Sequence, residues 1–207
     1  YRSMPRAAVA HSLAPLIRAA AIEQLCDVDD TEVAGAAALH DALVSYDLGE
    51  EVPAGRNPAK QLAEALHGRL PIVMAAEHLA PAALRFKNQL SENAKILAAS
   101  ETLPEANHNF IVGLDGARRM AQVISLVTLE SNLYAPRTQR RFTVTADQFR
   151  DAGIPVHVVP IQGKTILEQI LVATAWGDFT SCYLALLQGI DPTPVPHIDA
   201  LKAALAG

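Results

Sequence analysis

Cysteine and aromatic residues are scarce in this sequence. Cys26 and Cys182 are the only cysteines among 207 residues, and aromatic residues make up 5% of the chain. The two cysteines lie far apart and form no CxxC or Cys/His spacing, which argues against a disulfide framework and against a zinc site. The sequence therefore predicts a reduced, cytoplasmic protein.

Positive charge is not in excess. The formal net charge is −5, and the lysines and arginines are scattered, apart from Arg137, Arg140 and Arg141. Because nucleic-acid phosphates bind to a concentrated basic face, this distribution argues against nucleic-acid binding. We interpret the three arginines as the solvated start of a helix.

A long apolar stretch and a secretion signal are also lacking. No segment approaches the roughly 20 apolar residues that cross a membrane, and the first residues do not join a basic region to an apolar block. We therefore expect no membrane association. Hydrophobic residues make up 50% of the chain and charged residues 19%, which is typical of a globular domain with a full core.

Short apolar runs alternate with helical patterns from residue 70 onward. Such runs are typical of strands buried on both faces, and they lie at residues 70–76, 96–99, 121–129 and 156–160. They predict an α/β fold, a three-layer αβα sandwich with a four- to five-stranded parallel sheet. Linker helices precede the sheet, one of them capped by Asn57 and Pro58, and residues 165–190 predict a long apolar helix.

A sheet of this kind binds ligands at the carboxyl ends of its strands. No GxGxxG or GxxxxGK[ST] motif follows any of the predicted strands. The sequence therefore gives no support for nucleotide binding.

Residues 87–95 (KNQLSENAK) form the first of two dense polar segments. In a helix, Asn88, Glu92 and Lys95 share one face, at i, i+4 and i+7. Taken by itself, this pattern favours a solvated face with a Glu92–Lys95 ion pair, worth roughly 0.2–0.5 kcal/mol.

Residues 104–113 (PEANHNFIVG) form the second polar segment, in which His108 stands between two asparagines. Taken by itself, the segment favours a helix start with Asn107 as the N-cap. A carboxylate and an imidazole are nevertheless suited to proton transfer, because modest burial brings their pKa values near neutrality. The other histidines show no metal-ligand spacing, and we expect no bound metal.

Both segments resemble stretches of the bifunctional phosphoglucose/phosphomannose isomerases. Residues 86–95 are similar to the surroundings of that family's catalytic glutamate, and residues 104–113 resemble its PE-x-NHNE-IVG motif. Further similar stretches are residues 5–8 (PRAA), 140–142 (RRF), 153–156 (GIPV), 177–187 (GDFTSCYLALL) and 189–195 (GIDPTPV). The resemblance covers essentially the whole chain and implies a sugar isomerase (SIS) fold.

The resemblance also implies a reaction. It implies an isomerase that converts glucose 6-phosphate or mannose 6-phosphate to fructose 6-phosphate through a cis-enediol, as a homodimer and without a cofactor. That chemistry needs a base that reaches both C1 and C2, a group that opens the sugar ring, and polar stabilisation of the enediolate.

Four site residues follow from the resemblance. Glu92 would be the base, and His108 would open the ring from the second subunit of a shared active site. Lys202 matches a lysine at the site, and Arg6 matches an arginine near the reacting oxygens, where a fixed cation favours the enediolate. From the residues alone, Lys202 fits a solvated helix position equally well, and Arg6 fits a surface charge at a helix start.

Phe110 departs from the family pattern. It stands where the family has a glutamate after Asn-His-Asn, so an apolar ring replaces a charge beside the ring-opening histidine. This departure also fits a non-catalytic SIS module that binds sugar phosphates as a regulator.

A second departure concerns domain organisation. The family holds the substrate phosphate in a first SIS domain, through a glycine-rich turn and a Ser/Thr-rich loop, and neither occurs here. We therefore expect residues 1–69 to be a helical linker that follows a missing first domain, and residues 70–207 to be the C-terminal SIS domain with its C-terminal helix. Alone, such a piece could be inert, since the phosphate supplies much of the remote binding energy.

Overall fold

A computed structural model describes residue 6 and residues 8–206. The α-helices of this part of the chain are α1 (Val9–Ile22), α2 (Asp30–Leu43), α3 (Pro58–Leu66), α4 (Ala80–Ala94), α5 (Leu114–Ala117), α6 (Pro136–Asp151), α7 (Ile166–Leu187) and α8 (Pro196–Leu205). The strands are β1 (Leu70–Ala76), β2 (Ala99–Leu103), β3 (Ile124–Ser131) and β4 (Val156–Ile161). Two 3₁₀ turns, Glu105–Asn107 and Phe110–Gly113, lie between β2 and α5.

The four strands form one parallel sheet in the order β2-β1-β3-β4. β1 is paired on both sides, so that Val73 lies opposite Ser100 of β2 and Val127 of β3. The predicted parallel sheet is confirmed, with four strands. The predicted second strand at residues 96–99 is misplaced: Leu97 is 82% exposed, and β2 is the more polar segment that follows, because an edge strand is not enclosed by neighbours on both sides.

Helices cover both faces of the sheet. The chain passes from β1 outward to β2 through α4, and in the opposite direction from β3 outward to β4 through α6. Because parallel crossovers are right-handed, α4 and α6 lie on opposite faces. α7 packs along α4 and completes that layer, which confirms the three-layer sandwich.

The helices before the sheet pack on the same core. Asn57 caps α3 as predicted, since its Oδ1 accepts a hydrogen bond from the Lys60 N–H at 3.0 Å. The buried face of α3 joins the cluster that contains β1, through Ala59, Leu62, Ala63 and Leu66. Both α2 and α3 also pack along α7. The division of the chain after residue 69 stays a prediction.

α7 is the long apolar helix that the sequence predicts. Thr165 and Glu168 form a capping box at its start, with the Glu168 N–H donating to Thr165 Oγ1 at 3.2 Å. Among the described residues, it is the one helix whose length and composition would allow it to cross a membrane, which the sequence interpretation did not anticipate. In its most apolar 18-residue window, 56% is buried inside the domain, and a core helix meets the same criteria.

α4 and α7 approach each other closely at Gly177. A Cβ at this position would lie 3.1–3.2 Å from atoms of Phe86, including its backbone Cα. Phe86 is 1% exposed, so its backbone cannot move aside without disturbing the core. The missing side chain therefore allows the close contact that brings Asp178 and Ser181 of α7 to the C-terminal half of α4.

Replacing Gly177 by valine tests this contact. We expect Gly177→Val to destabilise the domain by about 1–3 kcal/mol through overpacking, which lowers Tm by about 2–4 °C for each kcal/mol in a domain of this size. Gly116→Val is the control, because no atom lies within 4 Å of a Cβ at Gly116. Thermal unfolding measures both variants, and an unchanged Tm for Gly177→Val would contradict the close approach.

Candidate functional site

A cleft of about 400 Å³ lies beside the last turn of α4. Glu92 lines it, and the opposite wall comes from the start of α8; the lining residues are Ser91, Glu92, Lys95, Ile96, Leu97, Val195, Pro196, His197 and Ile198. The Glu92 side chain is 35% exposed, whereas Leu90 on the same helix is fully buried. The helix is thus anchored in the core while the carboxylate stays open to a molecule in the cleft.

Arg6 is fixed beside Glu92. Its Nη1 lies 3.5 Å from Glu92 Oε2, and the Arg6 side chain is only 10% exposed. Nε donates to Asn93 Oδ1 at 2.8 Å, and Nη2 donates to the carbonyls of Pro192 and Thr193, both at 2.7 Å. Within the described chain, one N–H from Nε, two from Nη2 and one from Nη1 are engaged, out of the five that an arginine carries. One N–H of Nη1 has no acceptor among the described residues, beside the carboxylate of Glu92.

Asn93 connects Arg6 to α7. The asparagine is 4% exposed; its Oδ1 accepts from Arg6, and its Nδ2 donates to Ser181 Oγ at 2.8 Å and to Cys182 Sγ at 3.7 Å. A buried amide with partners on both sides has one orientation only. Our sequence interpretation did not assign a role to Asn93, although it stands next to Glu92 in the same polar segment.

Arg85 and Asp178 hold the backbone of residue 6. Arg85 Nη1 lies 2.6 Å from Asp178 Oδ1, Gln89 Nε2 donates to the same oxygen, and Arg85 Nη2 donates to the Arg6 carbonyl at 2.7 Å. Both charged side chains are partly buried, so the pair is less screened by solvent than an exposed one. The signal that could have revealed this role is a lone aspartate inside an otherwise apolar helix, since a carboxylate in such a place needs a partner.

Lys95 ends α4 and fastens the segment before α8. It adopts a left-handed backbone conformation with φ of 58°, and its Nζ donates to the carbonyls of Glu92 at 2.5 Å and Pro192 at 3.2 Å. The expected side-chain ion pair with Glu92 does not form, because the ammonium turns to these carbonyls instead. Burial and the nearby Arg6 guanidinium lower the pKa of Lys95, while Asp191 and Glu92 raise it.

His108 lies at the other end of the sheet. α4 runs back along the sheet, so Glu92 stands near the start of β2, whereas His108 follows the end of β2. The five residues of β2 span about 16 Å at about 3.3 Å per residue. His108 is exposed, and no hydrogen bond or ion pair among the described residues connects it to Glu92.

Asn107 does not cap a helix as the sequence suggested. It is the last residue of a 3₁₀ turn, and its Nδ2 donates to Thr145 Oγ1 at 2.7 Å. Phe110 packs against the hydrophobic core and lines a cavity with Ile72 and Phe149. The side chain that replaces the family's glutamate therefore serves packing in this chain.

Lys202 stands on α8, one turn beyond Ile198 on the same face, and Ile198 lines the Glu92 cleft. Lys202 is exposed, and within the described part of the chain no hydrogen bond or ion pair joins it to Glu92. The structure thus brings Arg6 to Glu92 and places the helix of Lys202 at the cleft. His108 lies at the other end of the sheet, away from Glu92.

The carboxyl edge of the sheet, where the fold class favours ligands, is occupied by a side chain. The fully buried Gln169 lies at the switch point between β1 and β3, from which the connections run outward in opposite directions across the sheet. Its Oε1 accepts from Ser131 Oγ at 2.5 Å and from His78 Nε2 at 2.8 Å, and its Nε2 donates to Asn132 Oδ1 at 2.7 Å. The Glu92 cleft is instead at the opposite edge. No cluster of three or more His, Cys, Asp or Glu that could hold a metal occurs in the described part of the chain.

Residues 55–205 match the family described as bacterial phospho-glucose isomerase C-terminal SIS domain. The chain is 33% identical over 204 residues to the bifunctional phosphoglucose/phosphomannose isomerase of Caldicellulosiruptor bescii, covering 98% of this chain and 60% of that protein. It is 27% identical over 204 residues to the enzyme of the same name from Thermoplasma volcanium, with the same coverage of 98% and 60%. The chain therefore spans about 60% of the length of these curated relatives.

Similarity to solved structures agrees with the sequence match. The fold resembles a glucose-6-phosphate isomerase like protein from Thermus thermophilus, with a TM-score of 0.60 and 28% identity, covering 70% of this chain and 48% of that one. The family expected from the sequence is thereby confirmed.

Cys182 offers a direct test of where Arg6 lies. Burial raises the pKa of the Cys182 thiol most, the Asp178 carboxylate raises it further, and the Arg6 guanidinium lowers it. Because a cation favours the thiolate and a carboxylate disfavours it, we expect Arg6→Gln to raise this pKa and Asp178→Asn to lower it. The rate of carboxymethylation as a function of pH, followed by mass spectrometry in a Cys26→Ser background, measures both shifts.

The control for this measurement is Arg119→Gln, which removes the same charge at an exposed position that is not among the causes of the Cys182 shift. A Cys182 profile that does not change in Arg6→Gln would show that Arg6 is not held beside the thiol. A profile that moves to lower pH would show that the substitution opens the site to solvent.

Proposed function

Because the chain belongs to the family of bacterial phospho-glucose isomerase C-terminal SIS domains, we propose that it is part of an aldose–ketose isomerase of hexose 6-phosphates. The reaction converts glucose 6-phosphate or mannose 6-phosphate to fructose 6-phosphate. The observation that carries the proposal is a glutamate open to a cleft with an arginine fixed 3.5 Å from its carboxylate. The names of the relatives from Caldicellulosiruptor and Thermoplasma support this substrate class.

Glu92 acts as the base in this proposal. Its carboxylate takes the proton from C2 of the open-chain aldose, the electron pair of the C–H bond forms the C1–C2 double bond of a cis-enediolate, and the negative charge moves to the C1 oxygen. Transfer of the O2 hydroxyl proton to O1 moves the charge to the C2 oxygen, and return of the proton from Glu92 to C1 then forms the C2 carbonyl of the ketose. One carboxylate can serve both carbons because they are adjacent, and positioned general bases of this kind contribute about 10²–10⁴ in rate.

Arg6 stabilises the enediolate in this proposal. Its remaining Nη1 N–H would bind the enediolate oxygen beside Glu92, while the other N–H groups fix the guanidinium on protein acceptors. A donor that is already oriented costs no reorganisation when the charge develops. Lys202 lies one turn beyond Ile198 on α8. It would assist ring opening or stabilise the same negative charge.

His108 opens the sugar ring in this proposal, from the second subunit of a homodimer. The separation of His108 and Glu92 by the length of β2 supports this arrangement, because one chain cannot bring both to one sugar. A symmetric dimer would contain two equivalent sites, each with Glu92 of one subunit and His108 of its partner.

The substrate phosphate would be held outside residues 1–207, by the first SIS domain that the resemblance implies. The chain spans about 60% of the relatives' length, which leaves room for such a domain in them. Residues 1–69 would then connect the two domains. We place the complete enzyme in the cytoplasm.

The second candidate is a sugar-phosphate-binding regulatory module without turnover. Phe110 favours it, since the chain has no glutamate after Asn-His-Asn and the ring is used for packing. Calorimetry with fructose 6-phosphate, run alongside the isomerase assay, separates the two functions. Binding without isomerisation would identify the regulator.

Glu92→Gln tests the base. In the complete protein we expect kcat to fall by about 10²–10⁴ because the amide cannot take the C2 proton. The fold should be preserved because the side chain is partly exposed and the amide has the same shape. Glu64→Gln, a change of the same kind on the exposed side of α3, is expected to leave kcat unaltered. Equal rates for the parent and Glu92→Gln would show that Glu92 is not the base.

Mixing two inactive variants tests the shared site. We expect Glu92→Gln and His108→Asn proteins each to be impaired, and their mixture, after subunit exchange, to regain about a quarter of the parental rate. Random exchange makes half of the dimers hybrids, and each hybrid keeps one intact site of two. A mixture no more active than its components would show either that each site uses Glu92 and His108 of the same subunit, or that His108 does not take part in the reaction.

A further inference from the structure

A second cleft lies on the opposite face of the sheet from α4. It runs between α6 and the turns that follow β2, and its volume is about 420 Å³. Its lining consists of Asn107, Ile111, Arg137, Arg140, Arg141, Val144, Thr145 and Gln148. We call it the arginine groove. It shares no lining residue with the Glu92 cleft.

Three guanidinium groups converge on the arginine groove. Arg137, Arg140 and Arg141 stand at i, i+3 and i+4 of α6 and therefore project from one side of the helix. In the described chain, no carboxylate lies within 4.0 Å of any of them, whereas Arg150 at the end of the same helix pairs with Asp147 at 2.9 Å. Like charges at this spacing destabilise a helix, and an anion between them would reverse that effect.

The groove is held in shape by buried contacts. Asn107 donates from Nδ2 to Thr145 Oγ1 at 2.7 Å, and its Oδ1 accepts from Arg141 Nη1 at 3.2 Å. Thr145 is 2% exposed, and the neighbouring Ala106 is 1% exposed. The turn, the helix and one guanidinium are therefore fixed to each other before any ligand arrives, which lowers the entropic cost of binding.

We propose that the arginine groove binds the phosphate group of a small phosphorylated molecule. A guanidinium binds phosphate through two parallel hydrogen bonds. The three arginines stand in the first two turns of a 16-residue helix, where the helix dipole favours an anion. The volume of the groove is in the range of about 300–1,000 Å³ that small-molecule sites have. Val144 and Ile111 line the rest of the groove and suit the uncharged part of the ligand.

The experiment is a titration of the full 207-residue chain with inorganic phosphate and, separately, with fructose 6-phosphate, followed by amide chemical shifts at constant ionic strength. We expect saturable changes at Asn107, Ile111 and residues 137–148, and none there with unphosphorylated fructose. Raising the salt concentration should weaken binding, since exposed charges are screened. Inorganic phosphate alone shows whether the anion suffices, and fructose 6-phosphate shows whether the sugar adds affinity.

Variants assign the binding to the arginines. The double variant Arg137→Gln/Arg140→Gln changes two exposed side chains, so the fold should be retained, and we expect binding to weaken by at least about tenfold. Arg150→Gln removes the same type of charge from the same helix outside the groove and should bind as the parent does. Melting curves of all three proteins verify their folding.

Two results would overturn the proposal. One is phosphate binding that is equally tight in the double variant. The other is no saturable change at the groove in the parent; a change in the sedimentation of the double variant would then identify the groove as a contact between copies of the chain. Shift changes confined to Ser91–Glu92 and Val195–Ile198 on adding fructose 6-phosphate would bear on the proposed isomerase site and not on this one.

Discussion

The close approach of α4 and α7 at Gly177 places the whole candidate site. Without a side chain at that position, α7 comes near enough for Asp178 to meet Arg85 and for Ser181 to meet Asn93. These two contacts then hold the backbone and the guanidinium of Arg6, and the guanidinium faces Glu92. The packing distance between α4 and α7 therefore determines where the Arg6 guanidinium lies relative to the Glu92 carboxylate. Glu92 and Asn93, which stand on α4, are therefore positioned by packed helices.

The parallel sheet imposes the second constraint. In a parallel sheet each connecting helix returns the chain to the edge where the next strand begins, so the end of α4 and the end of β2 are on opposite edges. Glu92 and His108 are therefore apart although only 16 positions separate them in the sequence. The carboxyl edge at the switch point, which such folds commonly use for ligands, is closed by Gln169 and its hydrogen bonds.

The arginines of the chain fall into two physical classes. Arg6 is surrounded by hydrogen-bond acceptors, and four of its five N–H groups are engaged, so the position of its guanidinium beside Glu92 is fixed. Arg137 and Arg140 are exposed on one side of α6 and have no carboxylate near them in the described chain. A fixed cation is suited to stabilising a charge that develops during a reaction, whereas exposed arginines that face a common groove are suited to holding a charge that a ligand already has.

The sequence by itself determined the layers and the family. Buried strands read as continuous apolar runs because helices cover them on both faces, and the cap at Asn57 is a local signal that needs no tertiary contact. It missed the position of β2, since an edge strand need not be apolar throughout. Tertiary structure alone decided what Arg6, Asn93 and Asp178 do, because their partners lie far away in the sequence and only the packing of α4 on α7 brings them together.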